Sequence, residues 1–243
     1  MAQLKGETRA RYVATMFGRI SRRYDRLNTV MTGGRHYAWR RKAAKMAVGT
    51  LSGDALDVAT GTGDFALDLI RRPQVTGVVG LDFTWEMLPL AVEKTKKRGH
   101  AARINYLAGD AHNLPFVDDR FICLTVGFGV RNFIDVPKAL LEMTRVIRPG
   151  GRVVILEIVR KEGIFGKLFS IYFRKVTPWM GALFAGEREA YTYLPESVQG
   201  FMSARELADL MRNAGLQNVR IKKLAMGTVA ILAGEKAAVG RGQ

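Results

Sequence analysis

Short apolar runs alternate along most of this chain with stretches whose apolar positions recur at three- and four-residue spacing. The runs Ala55–Thr60, Val75–Asp82, Ile104–Asp110, Ile122–Phe128 and Arg152–Ile158 read as strands buried on both faces. Between them, Asp64–Arg72, Thr84–Arg98 and Val136–Ile147 read as amphipathic helices, the last closed by Pro149-Gly150-Gly151. Further on, a helix over Ser203–Asn213 stops at Gly215. Two more strand-like runs follow, Val219–Ala225 and Val229–Gly234, separated only by Met226-Gly227-Thr228. So short a link cannot cross over to a parallel neighbour, and the pair is therefore an antiparallel hairpin.

Strands alternating with helices imply an α/β fold whose mostly parallel sheet is covered on both faces. The terminal hairpin adds one reversed strand. A plain dinucleotide-binding sheet lacks this strand, and the Rossmann-like class I S-adenosylmethionine-dependent methyltransferase fold, with seven strands, has it. No internal repeat or low-complexity linker divides the chain. Residues 1–243 are therefore expected to form one domain with two additions: a basic helical segment over 1–48, and an insertion over 159–200 ahead of the last helix. The tail Ala237–Gln243 is expected to be flexible.

The segment Leu56-Asp57-Val58-Ala59-Thr60-Gly61-Thr62-Gly63-Asp64 puts a glycine-rich turn at a strand-to-helix junction. There the backbone must turn sharply and a ligand must approach it closely. Asp82 ends the second strand, where a carboxylate can accept hydrogen bonds from ribose hydroxyls. Gly61, Gly63 and Ala66 also satisfy the loose dinucleotide pattern, so the turn alone does not choose between cofactors. Three features favour S-adenosylmethionine. Asp57 precedes the turn, where an acid can meet the cationic end of the methionine moiety. Asp110-Ala111 ends the third strand and is followed by Leu114-Pro115-Phe116, which suits an adenine clamp. The terminal hairpin is the third feature.

Composition narrows the picture. Hydrophobic residues make up 48% of 243 positions, enough for a sizeable core without staples. The single cysteine, Cys123, excludes a disulfide framework and lies in an apolar run as an inert thiol. His36, His100 and His112 show no metal-ligand spacing, and no metal is expected. Met1 to Arg11 has no apolar signal core, which leads us to expect a cytoplasmic protein. No apolar stretch reaches the ~20 uncharged residues of a spanning helix. The net charge of +16 is uneven: residues 1–46 carry twelve Lys/Arg against Glu7 and Asp25. Such a segment attracts a polyanion, either nucleic acid or an anionic lipid surface, or forms a solvated helix face.

Several blocks together resemble the menaquinone/ubiquinone biosynthesis C-methyltransferases, from about Phe17 to Lys236. They are Tyr24-Asp25-x-x-Asn28 with Met31, Gly34, His36 and Trp39; the Leu56–Ala66 turn; Phe128-Gly129-Val130-Arg131-Asn132; Arg148-Pro149-Gly150-Gly151-Arg152; Tyr191-x-Tyr193-Leu194-x-Glu196-Ser197; and Gly227-Thr228-Val229-Ala230. The resemblance implies that Thr62, Asp82, Asp110 and Ala111 contact the cofactor. It departs from the family pattern at Thr60, where glycine is common, at Gly127, where some relatives have serine, at Glu187, and at Phe201-Met202 in place of a frequent Phe-Pro.

By this resemblance the activity is S-adenosylmethionine-dependent C-methylation of demethylmenaquinol, with a benzoquinol of ubiquinone biosynthesis as the alternative acceptor. The Leu183-Phe184-Ala185 neighbourhood favours the naphthoquinol. Arg131, just beyond the fourth strand, sits where substrates bind in such sheets, and is expected to orient or stabilise a phenolate or to hold the water that removes its proton. A structural salt bridge is the alternative for Arg131. Asn132 is a second candidate, for hydrogen bonding to the ring oxygens. Tyr191 and Tyr193 are candidates to line the ring pocket, or else to pack. Ile164, Phe165, Leu168, Phe169, Tyr172 and Phe173 recur at helical spacing beside Lys167, Arg174 and Lys175, forming either an interfacial helix or a cover over the site. The expected partners are thus the isoprenoid quinol, an anionic surface on the inner face of the cell membrane, and a second copy of the chain in a homodimer. A nucleic-acid methyltransferase is the competing class. The chain has no separate RNA-binding module and no Asn/Asp-Pro-Pro-Tyr-type motif.

Overall fold

The computed structural model of the chain describes residues 6–161, 193 and 197–238. Their elements, in order, are α1 (Gly6–Thr32), α2 (Arg35–Ala47), β1 (Gly53–Val58), α3 (Asp64–Ile70), β2 (Val75–Asp82), α4 (Leu88–Lys97), β3 (Ile104–Ala108), β4 (Phe121–Gly127), α5 (Val136–Val146), β5 (Ile147–Ile158), α6 (Ala204–Asn213), β6 (Leu216–Leu224) and β7 (Val229–Lys236).

The seven strands form one sheet in the order β3-β2-β1-β4-β5-β7-β6. Pairings β1–β2, β1–β4, β2–β3 and β4–β5 are parallel, while β7 runs antiparallel to both β5 and β6. The α/β class, the hairpin and the single reversed strand are as the pattern predicts. Phe121 to Val126 in β4 are all buried because helices cover both faces of the sheet, which is why this strand reads as a continuous apolar run. On one face the core gathers α5 and α6 residues such as Leu140, Met143, Leu207 and Met211. On the other it gathers Ala43, Ala44 and Ala47 of α2 with Phe65 and Leu69 of α3.

Two boundaries differ most from expectation. Residues 148–151 do not close the helix from outside: α5 already ends at Val146, and Ile147 is extended at φ −87°, ψ 147°. Arg148 precedes proline and is held out of the helical region, so β5 begins five residues earlier than predicted. The strand carries an irregularity there, between the pairings Phe121–Ile147 and Cys123–Arg152. A side chain at position 151 would meet the carbonyl oxygens of Ile122 and Arg148 at 2.7 and 2.8 Å, so the motif is a close backbone approach within the sheet. Ahead of α4, a single 3-10 turn over Trp85–Met87 takes the first positions of the predicted helix, with Pro89 fitted into the first turn of α4 itself.

The basic N-terminal segment is two helices, α1 of 27 residues and α2 of 13, joined by Gly33 and Gly34 at φ +57° and +74°. α2 packs on the sheet through its alanines. α1 buries Val13, Met16, Ile20 and Leu27 and is tied to the rest of the fold by charge. Lys94 on α4 donates to Asp25 of α1 at 2.6 Å, to Thr62 of the glycine turn at 2.8 Å and to Asp64 of α3 at 2.8 Å. Thr62 in turn donates to Asp25 at 2.7 Å, and Arg40 of α2 donates to Asp64 at 2.6 Å. Burial opposes the charge on Asp64, but Arg40 and Lys94 outweigh it and hold the carboxyl below its ordinary range. Among the described residues, no helix is long and apolar enough to cross a membrane. Most of the insertion predicted over 159–200, including Ile164 to Phe173, Lys167, Arg174, Lys175, Leu183-Phe184-Ala185 and Glu187, lies outside the described residues.

Candidate active site

A cavity of about 320 Å³ opens at the C-terminal ends of β1, β2 and β4, with α1 forming its far wall. Its floor is backbone that only certain residues can supply. Ala59 (φ +53°), Gly61 (φ +56°) and Gly63 (φ +81°) take the left-handed conformations that turn β1 into α3. Gly63 is fixed by packing as well, since a side chain there would collide with the Tyr106 hydroxyl. On the opposite side, a side chain at Gly129 would come within 2.5 Å of the Ala59 methyl, so the β1 and β4 loops nearly touch.

Asp82 closes the turn. Its Oδ2 accepts from the Gly61 amide at 2.7 Å and its Oδ1 from the Thr84 amide at 2.8 Å. Burial raises its pKa, partly offset by those amides. Asp110 and Ala111 line the cavity a strand further on, and Asp110 accepts from both the backbone and the ring nitrogen Nδ1 of His112, at 2.9 and 2.5 Å. Gly61, Asp82, Asp110, Ala111 and Asn132 therefore share one wall system.

Three predicted cofactor residues, Asp57, Thr62 and Gly63, stand outside the cavity lining. Asp57 has no exposed surface and is not part of the cavity wall. It lies beneath the turn, accepting from the hydroxyls of Thr60 at 2.6 Å and Thr125 at 2.7 Å. Burial pushes its pKa up to about 7, against the lowering by those two hydroxyls. The expected direct meeting with a ligand's cationic end is corrected accordingly: Val58 and Ala59 form the surface, and Asp57 acts on it from below. The threonine at position 60, where glycine is common, supplies one of the two hydroxyls that hold it. Thr62 is likewise turned away from the cavity, into the Asp25–Lys94 lattice. Burial pushes the Cys123 thiol up to about 12, consistent with an inert side chain.

A second, smaller cavity of about 70 Å³ adjoins the first, and Phe17, Tyr24 and Phe128 line both. Its other walls are mainly apolar (Met16, Ile20, Leu27, Met31 and Ile158), with Asn28, Thr32, His36, Arg131 and Tyr193 as the polar members. Arg131 lines this cavity and not the larger one. Its Nη1 donates to Glu157 Oε1 at 2.6 Å and to the Phe128 carbonyl at 2.7 Å, and its amide donates to Glu157 Oε2 at 3.2 Å. Glu157 is fully buried, so the salt bridge weighed as the alternative for Arg131 is present alongside its position in the cavity wall. The Tyr193 hydroxyl donates to Asn132 Oδ1 at 2.8 Å and so links the two cavities. Tyr191 lies outside the described residues. Glu157 and the α1 wall were not singled out from the sequence; Tyr24 and Asn28 appeared there only in a motif block, and His36 in that block and among the histidines without metal-ligand spacing.

S-adenosylmethionine fits what is present. Gly61 leaves the floor open where a Cβ would intrude, Asp82 keeps acceptor capacity for hydroxyls, and the walls near Ala111, Phe133 and Ile134 are apolar enough for an adenine. Among the described residues, no three His, Cys, Asp or Glu side chains gather as a metal site requires.

A mostly parallel seven-stranded sheet with a reversed seventh strand, a glycine turn and an acid at the end of β2 defines a methyltransferase that uses S-adenosylmethionine. Within that class, the ubiE/COQ5 methyltransferase family matches residues 3–236, and the chain belongs to it. It is 43% identical to a demethylmenaquinone methyltransferase of Thermus thermophilus over 91% of this chain and 100% of the relative. It is 44% identical to the Deinococcus radiodurans protein of that name, over 92% of each. To the ubiquinone/menaquinone biosynthesis C-methyltransferase UbiE of Geotalea daltonii it is 41% identical, over 92% and 96%. Among solved structures, a SAM-dependent methyltransferase from Thermotoga maritima superposes with a TM-score of 0.64 at 21% identity, over 91% of this chain and 98% of that one. A Haemonchus contortus phosphoethanolamine N-methyltransferase 2 in complex with S-adenosyl-L-methionine superposes at 0.62 and 16%, over 82% and 52%. These last two share the fold.

Two predictions follow from this geometry. Asp82→Asn puts an amide where two backbone N–H groups demand an acceptor and removes a charged partner for hydroxyls. At about 1.5–3 kcal/mol for a hydrogen bond to a charged group, calorimetric affinity for S-adenosylhomocysteine should drop roughly 10- to 150-fold. An unchanged affinity would remove Asp82 from the cofactor site. The second concerns pH. Burial pushes the Asp57 carboxyl up to about 7 in the folded chain, from an ordinary value of 3.8. Between those values the folded chain holds a proton that the unfolded chain has released, so stability should fall as pH rises from 4 to 7. In urea titrations at pH 5 and pH 8, Asp57→Asn should lose that component of the slope. Equal slopes in both proteins would place the titration elsewhere.

Proposed function

We propose that this chain transfers the methyl group of S-adenosylmethionine to a ring carbon of demethylmenaquinol, giving menaquinol. The observation that carries this reading is the pair of adjoining cavities: a large one built on the glycine turn and Asp82, and a small, mainly apolar one opening from it past Phe17, Tyr24 and Phe128. The names of the Thermus and Deinococcus relatives support the naphthoquinol as acceptor. The relatives named for ubiquinone as well as menaquinone keep a benzoquinol as the second reading.

When bound, S-adenosylmethionine supplies a methyl group carried on a cationic sulfur. In this reading Asp82 holds the ribose, Asp110 and Ala111 border the adenine, and Gly61 admits the ligand to the backbone. Asn132 steadies the ring oxygens with Tyr193 fixing its amide, while Phe17, Tyr24 and Phe128 exclude water from the junction. A hydroquinone ring carbon becomes nucleophilic as its neighbouring hydroxyl gives up its proton. A free phenol has a pKa of ~10, so doing this at pH 7 requires about 3 units, or roughly 4 kcal/mol. Arg131 supplies only part of this, because Glu157 cancels its net charge. The pair acts as a dipole with the guanidinium at the cavity wall and the carboxylate buried behind it.

The same reading holds the protein on the cytoplasmic side of the cell membrane as a peripheral protein, because an isoprenoid quinol stays in lipid. Arg19, Arg23, Arg26, Arg35, Arg41 and Lys42 of α1 and α2 are exposed. Near an anionic leaflet each basic residue contributes ~1 kcal/mol, enough together for reversible adsorption.

The test is methyl transfer from labelled S-adenosylmethionine in anionic vesicles carrying reduced demethylmenaquinol, its oxidised form, a reduced benzoquinol, or bulk RNA in their place. Label is expected only in reduced quinols and most in the naphthoquinol. Label in RNA, or in neither quinol while S-adenosylhomocysteine still binds, would refute the reading. Arg131 is tested without stranding Glu157: the pair Arg131→Met with Glu157→Gln should lower kcat about 100-fold at unchanged cofactor affinity. Unaltered turnover would reduce Arg131 to a structural role.

A further inference from the structure

His36 is almost completely buried, lines the smaller cavity, and carries one ring nitrogen, Nε2, that has no hydrogen-bond partner. Its protonation pattern follows from a chain of hydrogen bonds. The Thr32 hydroxyl has one proton, and it donates that proton to the Asn28 carbonyl at 2.6 Å. The Thr32 oxygen, 2.7 Å from His36 Nδ1, must therefore accept there, and Nδ1 carries the ring hydrogen. Burial and then Arg40 lower the pKa of His36 to about 4, so the ring is neutral near pH 7 and Nε2 is a bare lone pair. A buried acceptor left without a donor is destabilising, and a ligand hydroxyl donating to it would relieve that. The cavity that His36 borders is also lined by Leu27, Met31 and Ile158, so a donor bound there comes with an apolar body.

Resting on the quinol reading above, we propose that His36 Nε2 receives the hydrogen bond of the substrate's ring hydroxyl and takes its proton during methyl transfer. Magnitudes fix the timing. An acceptor of pKa about 4 does not strip a phenol of pKa ~10 beforehand: that gap is about 6 units, or roughly 8 kcal/mol. As the ring carbon gains the methyl group, the hydroxyl becomes that of a protonated ketone, far more acidic than imidazolium, and the transfer to Nε2 turns favourable. The O–H bond breaks with its electron pair remaining on oxygen, and Nε2–H forms while Nδ1–H stays on Thr32. The methylated ring, now a neutral ketone, loses its ring hydrogen to water as a proton, and the imidazolium returns its own proton to the oxygen. His36 ends neutral and one proton is released. Arg131 lines the same cavity.

The tautomer and the contact are both readable without turnover. In the full chain with 15N-labelled histidine, long-range proton–nitrogen correlations should show His36 with a protonated Nδ1 and a bare Nε2, assigned by its disappearance in His36→Gln. Addition of 1-naphthol as a quinol probe should move the Nε2 resonance toward the hydrogen-bonded range, and Thr32→Val should mix the tautomers. In turnover, His36→Gln should lower kcat about 100-fold with unchanged affinity for S-adenosylhomocysteine, and imidazole should restore part of the activity of His36→Ala. A proton found on Nε2, or naphthol that binds without moving that resonance, overturns the proposal while leaving the quinol reading intact. Failure of naphthol to bind at all overturns both.

Discussion

The site depends on one ammonium group. Lys94 reaches from α4 to Asp25 on α1, to Thr62 in the glycine turn and to Asp64 at the start of α3, while Arg40 of α2 completes the set. Four helices and the turn are thereby held in one arrangement at the strand ends. The Lys94 pairs are partly exposed and contribute modestly to stability. Their consequence is positional, since α1 lies over the sheet and supplies Phe17, Tyr24 and Leu27. Without that helix the larger cavity would be an open crevice of an α/β sheet, and the smaller one would lack a wall. The basic segment thus has an inner face that builds the site and an outer face that carries the charge.

Much of this was legible in the sequence because periodicity is a strong signal for long elements. The five apolar runs, the hairpin without room for a crossover, and the acid ending β2 each predicted an observed element. What escaped has a common physical cause. Arg148 to Gly151 looks like a helix terminator, yet its glycines permit a backbone approach inside β5 that only the pairing with β4 explains. Asp57 looks like a ligand for a cation because it precedes a glycine turn. The direction of its side chain, toward Thr60 and Thr125, depends on a strand 68 positions away in sequence. Thr62 escaped for the same reason, captured by residues on α1 and α4. Periodicity says which face is buried; it does not say which atoms meet within it.

The polar groups around the two cavities make a chemically consistent set. Arg131 is held by Glu157, Asn132 by Tyr193, and His36 by Thr32, so each functional group is oriented by a partner. Such buried support matters for a reaction whose methyl donor is already highly reactive: the enzyme's task is to align the ring and manage one proton in a water-poor space. That reading gives the buried, neutral histidine a use which its burial alone leaves unexplained.

In the proposed function, the methyl donor and the quinol ring occupy adjoining cavities that meet at Tyr24 and Phe128. A crystal structure of the full chain with S-adenosylhomocysteine and a naphthol together tests it most directly. The nucleoside is expected against Asp82 and Ala111, and the naphthol ring between His36 and Arg131 with its hydroxyl on Nε2. A ring stacked elsewhere on the surface, or a nucleoside outside the glycine turn, would contradict it.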